Sequence, residues 1–328
     1  MTSASEPPAS DDAVPPPLVS PSQGSRPDLV DQPPLPNDSF MSPAQETDPE
    51  PEISARDKLL GRQHPASTNP LPRVLAVANQ KGGVGKTTTT INLAACLADL
   101  GYRVLVVDLD PQANATTGLG IDPRSIAASM YDVILRDVPL SDCALPTEMA
   151  NLSIAPSSLD LAGAEIELVP AFNRERKVAL ALESLLPELD FVFIDCPPSL
   201  GLLTVNALTA ANEVLVPIQC EYYALEGLGQ LLRNVELVQR NLNPELDVST
   251  IALVMFDART KLASQVVDEV RAHFGDKVCR QVVPRSVRLS EAPSFGQPII
   301  LFDNRSRGAI AYRELAKEVA GGPANRVG

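Results

Sequence analysis

The sequence predicts an α/β fold: a doubly wound, mostly parallel sheet with helices on both faces, of the phosphate-loop kind. Three observations lead there. From residue 73 onward, short β-branched runs alternate with helical patterns, which is the mark of βαβ units and a parallel sheet. The strand-like runs are continuously apolar rather than alternating, as strands covered on both faces must be. A glycine-rich segment ending in Gly85-Lys86-Thr87 stands between the first strand and the first helix, where inward N–H groups and a helix N-terminus favour phosphate.

Taken in order, RVLAVANQ (73–80) reads as the first strand, and KTTTTINLAACLADLG as a helix ending at Gly101. RVLVVDLD (103–110), LSIAPSS (152–158), FVFIDCPP (191–198), EVLVPIQ (213–219) and TIALVMF (250–256) read as further strands. KLASQVVDEVRAHF (261–274) places Leu262, Val266, Val270 and Phe274 about one turn apart, so a helix packed on the sheet is expected. Right-handed crossovers put the strand C-termini along one edge. NQKGGVGKTTTT, DLDPQ (108–112) and DCPPS (195–199) then converge there.

Ahead of this core, residues 1–72 hold 16 of the 31 prolines, with 11 Asp and Glu against 4 Lys and Arg. Such a stretch cannot bury enough apolar surface to offset its chain entropy, so a disordered acidic tail is expected. The domain is expected over 73–320 and a flexible C-terminus over 321–328. The N-terminus lacks the basic and apolar regions of a secretory signal, and no run approaches a membrane span. Five scattered cysteines without a C-x-x-C pair suit reduced thiols in a cytosol. Cys196 reads as a small space-filling residue.

The loop supplies the expected chemistry. Lys81, Gly82, Gly83, Val84, Gly85, Lys86, Thr87 and Thr88 form its contact set. Lys86 would reach the β- and γ-phosphates of a nucleotide, and Thr87 would offer its hydroxyl to Mg²⁺. Asp195, closing FVFID, is placed to serve the same ion. Asp108 and Asp110 bracket a strand end. One of this pair would face the metal and the other would orient the water that attacks the γ-phosphate. We assign Asp110 to the water and Asp108 to the surroundings of the metal.

The loop is nevertheless unusual. The common G-x-x-x-x-G-K-[ST] form wants a glycine where Gln80 stands, and Lys81 adds a second charge. KGGVGKTT, with VDLDPQANATTGLG (107–120) and FVFIDCPPSLGLLTVNAL (191–208), resembles the ParA/Soj chromosome-partitioning ATPases, relatives of the MinD cell-division ATPases. The resemblance continues through VMFDART (254–260) and residues 283–319, leaving only the tail without a counterpart.

That resemblance implies an ATP-specific enzyme with Mg²⁺, working as a homodimer that sandwiches two ATP molecules. It implies that Lys81 reaches across the interface to the partner's nucleotide. Charge building on a transferring phosphoryl group would be stabilised there as by an arginine finger. Asn206 and backbone near Pro284 and Arg285 would meet the adenine or ribose. Arg259 and Arg288 would bind DNA without sequence preference, and a DNA-bound ParB-like partner would stimulate hydrolysis. Cytoplasmic, nucleoid-associated localisation follows.

Residues 257–313 hold ten Lys and Arg against six acids in an otherwise acidic chain of pI near 4.6; a charge run of this kind is usually a solvated face, and it is the resemblance that implies a DNA surface here. Two other classes were weighed. A MinD-like membrane switch would need a basic amphipathic C-terminal helix. The chain reads LAKEVAGGPANRVG there, so no stable membrane association is expected. An iron–sulfur or electron-transfer relative would need bridging cysteines in a ligand arrangement, which the sequence does not suggest.

Overall fold

The computed structural model describes residues 70–221 and 224–322. Nearly all of the tail expected over 1–72, and the chain beyond 322, lie outside the described residues. Strands β1 (Arg73–Val77), β2 (Val104–Asp108), β3 (Leu145–Pro146), β4 (Leu152–Ala155), β5 (Phe191–Asp195), β6 (Glu213–Gln219) and β7 (Asp247–Val254) form one sheet. Its order is β3-β4-β2-β5-β1-β6-β7. Every pairing is parallel except β3 with β4. The two-residue β3 was not anticipated, being too short to leave a hydrophobic pattern. Its Pro146 sits where an edge strand tolerates a missing N–H.

Alternate residues of each strand enter different cores. Val74 and Ala76 join Val107, Ile194 and Val216 on one face. Leu75 and Val77 join Val106, Phe193 and Leu215 on the other. Helices Leu202–Ala210, Ala224–Asn241 and Lys261–Phe274 cover the first face, and helices Lys86–Asp99 and Arg307–Gly321 the second. This double cover is why the strands read as unbroken apolar runs. In helix Lys261–Phe274 the buried stripe is Ala263, Val266, Val267 and Val270, while Leu262 faces out. Val266 and Val270 face the sheet as expected and Phe274 packs at its edge, while Ala263 takes the place expected of Leu262.

Arg73 is a fully buried charge at the start of β1. Its Nε and Nη2 donate to Glu213 Oε1 (2.6 Å) and Oε2 (2.8 Å), its Nη1 to the Val319 carbonyl, and its guanidinium lies over the Phe191 ring. A planar fork satisfied on all sides is what lets such a charge stay dry. Arg73→Ala would leave Glu213 without its counter-charge. The expected loss is about 3–5 kcal/mol, read as a lower urea midpoint at unchanged slope.

Register fixes the functional edge. Val77 of β1 and Asp108 of β2 both pair with Asp195 of β5. The three segments that follow these strands therefore leave the sheet side by side, at the point where strand order reverses about β1.

Candidate functional site

Asn79 sets the path of the loop after β1. Its side-chain carbonyl accepts the Lys81 N–H (3.0 Å), and its amide donates to the Pro217 carbonyl (2.8 Å), pinning the turn to β6. Gly83 (φ 73°) and Gly85 (φ 86°) take the left-handed conformation that a side chain would strain. The space over Gly82 and Gly83 is open where a Cβ would stand. Gly85 begins helix Lys86–Asp99, and no side chain caps it. The first N–H groups of that helix thus point toward an open cradle, a geometry that receives an anion.

Over this cradle lies a cavity of about 610 Å³, lined by Gly82, Gly83, Gly85, Lys86, Thr87, Thr88 and Asp110 among others. Lys86 is only 7% exposed, so its charge is held at the cavity floor. A second cavity of about 340 Å³ shares Gly85, Thr88, Met255 and Pro293 with the first and reaches Pro284 and Arg285. Their sizes suit a nucleotide.

The metal question turns on oxygen donors. Asp195 is fully buried and accepts from Thr87 Oγ1 (2.7 Å) and Thr90 Oγ1 (3.0 Å). Burial, and then the facing Asp108, push its pKa up to about 8. A carboxylate so short of compensating charge, next to a threonine hydroxyl and an open phosphate cradle, fits a hard divalent cation such as Mg²⁺.

Asp108 is placed differently. Its Oδ2 accepts from Thr116 N (2.9 Å) and Thr116 Oγ1 (2.7 Å), and its Oδ1 from Asp110 N (3.1 Å). Burial raises its pKa to about 6, opposed by those Thr116 bonds. Oδ2 is committed to helix Asn114–Gly118 and Oδ1 to the Asp110 backbone, and Asp108 does not line the cavity. Asp110 does.

Two further expectations meet the structure unevenly. Pro284 and Arg285 line the second cavity. Asn206 does not reach either one. It is fully buried, its amide donating to the Arg174 (2.6 Å) and Leu202 (2.9 Å) carbonyls while its Oδ1 accepts from Val178 N (3.3 Å). It ties helix Leu202–Ala210 to helix Lys177–Leu182, with no donor left for a base or ribose. Val84 is buried beneath the loop. Lys81 does not line its own cavity; its side chain is 41% exposed, with Nζ 3.6 Å from Glu221.

Arg259 and Arg288 are both exposed. Arg259 makes a two-point pair with Asp257 (2.9 and 2.6 Å), which holds that carboxyl well below its usual range. Arg288 lies 3.1 Å from Glu291 and 3.5 Å from Asp303, over the Phe302 ring. All five cysteines are buried. Burial pushes the Cys143 and Cys220 thiols up to about 12 and 11, and Cys196 higher still, so none of these three is a ready nucleophile.

Asn79, Thr90 and Thr116 carry functional contacts that the sequence reading passed over. Thr90 was within reach of it: Thr87 and Thr90 stand three apart on one helix, hence on one face.

A loop of this shape at the switch point of a parallel sheet, with a lysine on the cavity floor and a threonine–aspartate pair beside it, defines a phosphate-loop nucleoside triphosphatase. A family model described as an AAA domain matches residues 72–248. The chain is 56% identical over 248 residues to the sporulation initiation inhibitor protein Soj of Bacillus subtilis (strain 168), covering 76% of this chain and 98% of that protein. It is 52% identical over 255 residues to the chromosome partitioning protein ParA of Caulobacter vibrioides (strain NA1000 / CB15N), covering 77% and 95%. Among solved structures it matches cobyrinic acid a,c-diamide synthase from Mycobacterium smegmatis with bound ADP and magnesium. That match has 42% identity, covers 76% of this chain and 94% of the other, and has a TM-score of 0.67. The chain belongs to the ParA/Soj family of chromosome-partitioning ATPases.

Proposed function

We propose that this ATPase is a nucleotide-switched partitioning protein: two ATP-loaded copies face each other, bind DNA together, and separate after hydrolysis. In each copy the loop N–H groups and Lys86 hold the triphosphate of ATP. Thr87 and Asp195 would hold Mg²⁺, which would supply positive charge beside the phosphates. Asp110 orients the attacking water and draws on its proton. Pro284 and Arg285 border the base.

The observation that carries the dimer reading is the contrast between the two lysines. Lys86 lines the cavity and is nearly buried, whereas Lys81, from the same loop, is half-exposed and turned away from it. A lysine that does not line its own cavity is available to a neighbour's nucleotide. A site completed only by association makes ATP a switch, since binding favours the pair and hydrolysis dissolves it.

Arg259 and Arg288 would contact phosphates, giving binding that falls with salt and ignores sequence. Two weak patches joined in a dimer bind far more tightly than one, so DNA affinity follows ATP. A ParB-like protein bound to DNA is the partner proposed to trigger hydrolysis, and association with the nucleoid would follow. A membrane-binding switch has less support. No described helix is long and apolar enough to cross a bilayer, and the apolar residues Tyr312, Leu315, Ala316 and Val319 of the last helix are spent on the core.

The test is titration of a random-sequence duplex with no nucleotide, with ADP, with ATP, and with ATP plus added salt. Binding is expected only with ATP, weakening as salt rises. Arg288→Glu should remove it while ATP-dependent dimerisation persists. Binding that ignores the nucleotide would overturn the switch, and loss of dimerisation in Arg288→Glu would move that residue from the DNA surface to the interface.

A further inference from the structure

Glu221 stands just past the end of β6, where it bridges two cations from different parts of the site. Its Oε2 lies 3.6 Å from Lys81 Nζ and its Oε1 lies 3.5 Å from Arg285 Nη2. The carboxylate is itself held: Gln219 Nε2 donates to Oε1 (2.5 Å), and the Glu221 N–H donates to the Gln219 carbonyl (2.8 Å). One acid thus gathers the lysine of the phosphate loop and the arginine at the rim of the second cavity.

We propose that Glu221 is a positioning residue for Lys81. It keeps the ammonium against its own protomer until a second, ATP-loaded copy displaces it. The inference rests on reading Lys81 as a residue that acts across the dimer.

The energetics suit a latch rather than a lock. The Lys81 and Glu221 side chains are 41% and 48% exposed, and water screens such a pair. A single carboxylate of this kind biases the lysine without trapping it. The triphosphate of an arriving copy carries several negative charges and outcompetes one carboxylate for the same ammonium. Lone copies therefore keep Lys81 folded back, and only a nucleotide-bearing partner calls it out. The latch raises the concentration at which dimers form and leaves the assembled site unchanged.

Glu221→Gln removes the charge while retaining the oxygen that accepts from Gln219, so the loop keeps its shape. In the full-length protein with ATP, the concentration for half-dimerisation, read by sedimentation velocity, should fall about two- to thirty-fold, the range that two exposed ion pairs, one per protomer, support. Hydrolysis per protomer should rise by the same factor at low protein concentration and not at saturating protein. The effect should shrink in about 0.5 M salt, as screening of an exposed pair requires. In a Lys81→Ala background the same substitution should change nothing, and in an Arg285→Ala background it should act as before.

Unchanged or weaker dimerisation in Glu221→Gln would overturn the latch, as would an effect that survives in Lys81→Ala and vanishes in Arg285→Ala. The two layers of the argument separate cleanly. If Lys81→Ala alone hydrolyses ATP and dimerises like the parent, the dimer-crossing lysine fails. If Lys81→Ala is inactive and Glu221→Gln is silent, only the latch fails.

Discussion

Replacing Lys86 by alanine should abolish nucleotide binding. Among the described residues Lys86 is the one lysine lining the cavity, nearly buried and next to the open glycine cradle. A charge-assisted hydrogen bond in such a place contributes about 1.5–3 kcal/mol, and two phosphate contacts would raise the dissociation constant about 10²–10⁴-fold when lost. Titration with a fluorescent ATP analogue reads this directly. A dissociation constant within a few-fold of the parent would mean that the triphosphate is held by main chain alone. Dimerisation and DNA binding, both downstream of ATP in the proposed cycle, should disappear together with it.

Asp110→Ala should do something different: keep ATP bound and stop the clock. Asp110 lines the cavity, where a carboxylate that orients water is worth about 10²–10⁴-fold in rate. Nucleotide affinity should survive, ATP-dependent dimers should accumulate, and phosphate release should fall by that factor. Hydrolysis at the parental rate would remove Asp110 from the chemistry. Asp108→Asn makes the informative contrast. Because both Asp108 oxygens hold Thr116 and the Asp110 backbone, its loss should lower thermal stability as well as activity. The Asp110 change should leave stability near the parental value.

The sheet was legible because a strand covered on both faces announces itself as an unbroken apolar run. β6 and helix Lys261–Phe274 fell on the residues expected of them. The edge strand β3 is too brief to imprint any pattern. Within the site, the loop residues could be read because glycine, lysine and threonine at that spacing have few other uses. The division between Asp108 and Asp110 was harder, because the turn at Pro111 decides which buried carboxylate lines the cavity and which is bonded to Thr116. Asn206 was beyond reach: sequence puts it on the right helix, but only packing shows that its amide is consumed by the Arg174 and Leu202 carbonyls. Lys81 itself was visible as an oddity of the loop, and Glu221 was not, since a single acid two residues past a strand carries no pattern.

Arg73 opens the first strand and grips the main chain of the last helix through the Val319 carbonyl. Start and finish of the folded body are therefore neighbours, fastened at the end of β1 remote from the phosphate loop. Such closure is what makes a domain amenable to circular permutation. The old ends could be joined by a short linker and new ones opened in an exposed turn. Because the fastening lies away from the nucleotide edge, a reporter spliced there would leave that edge uncovered.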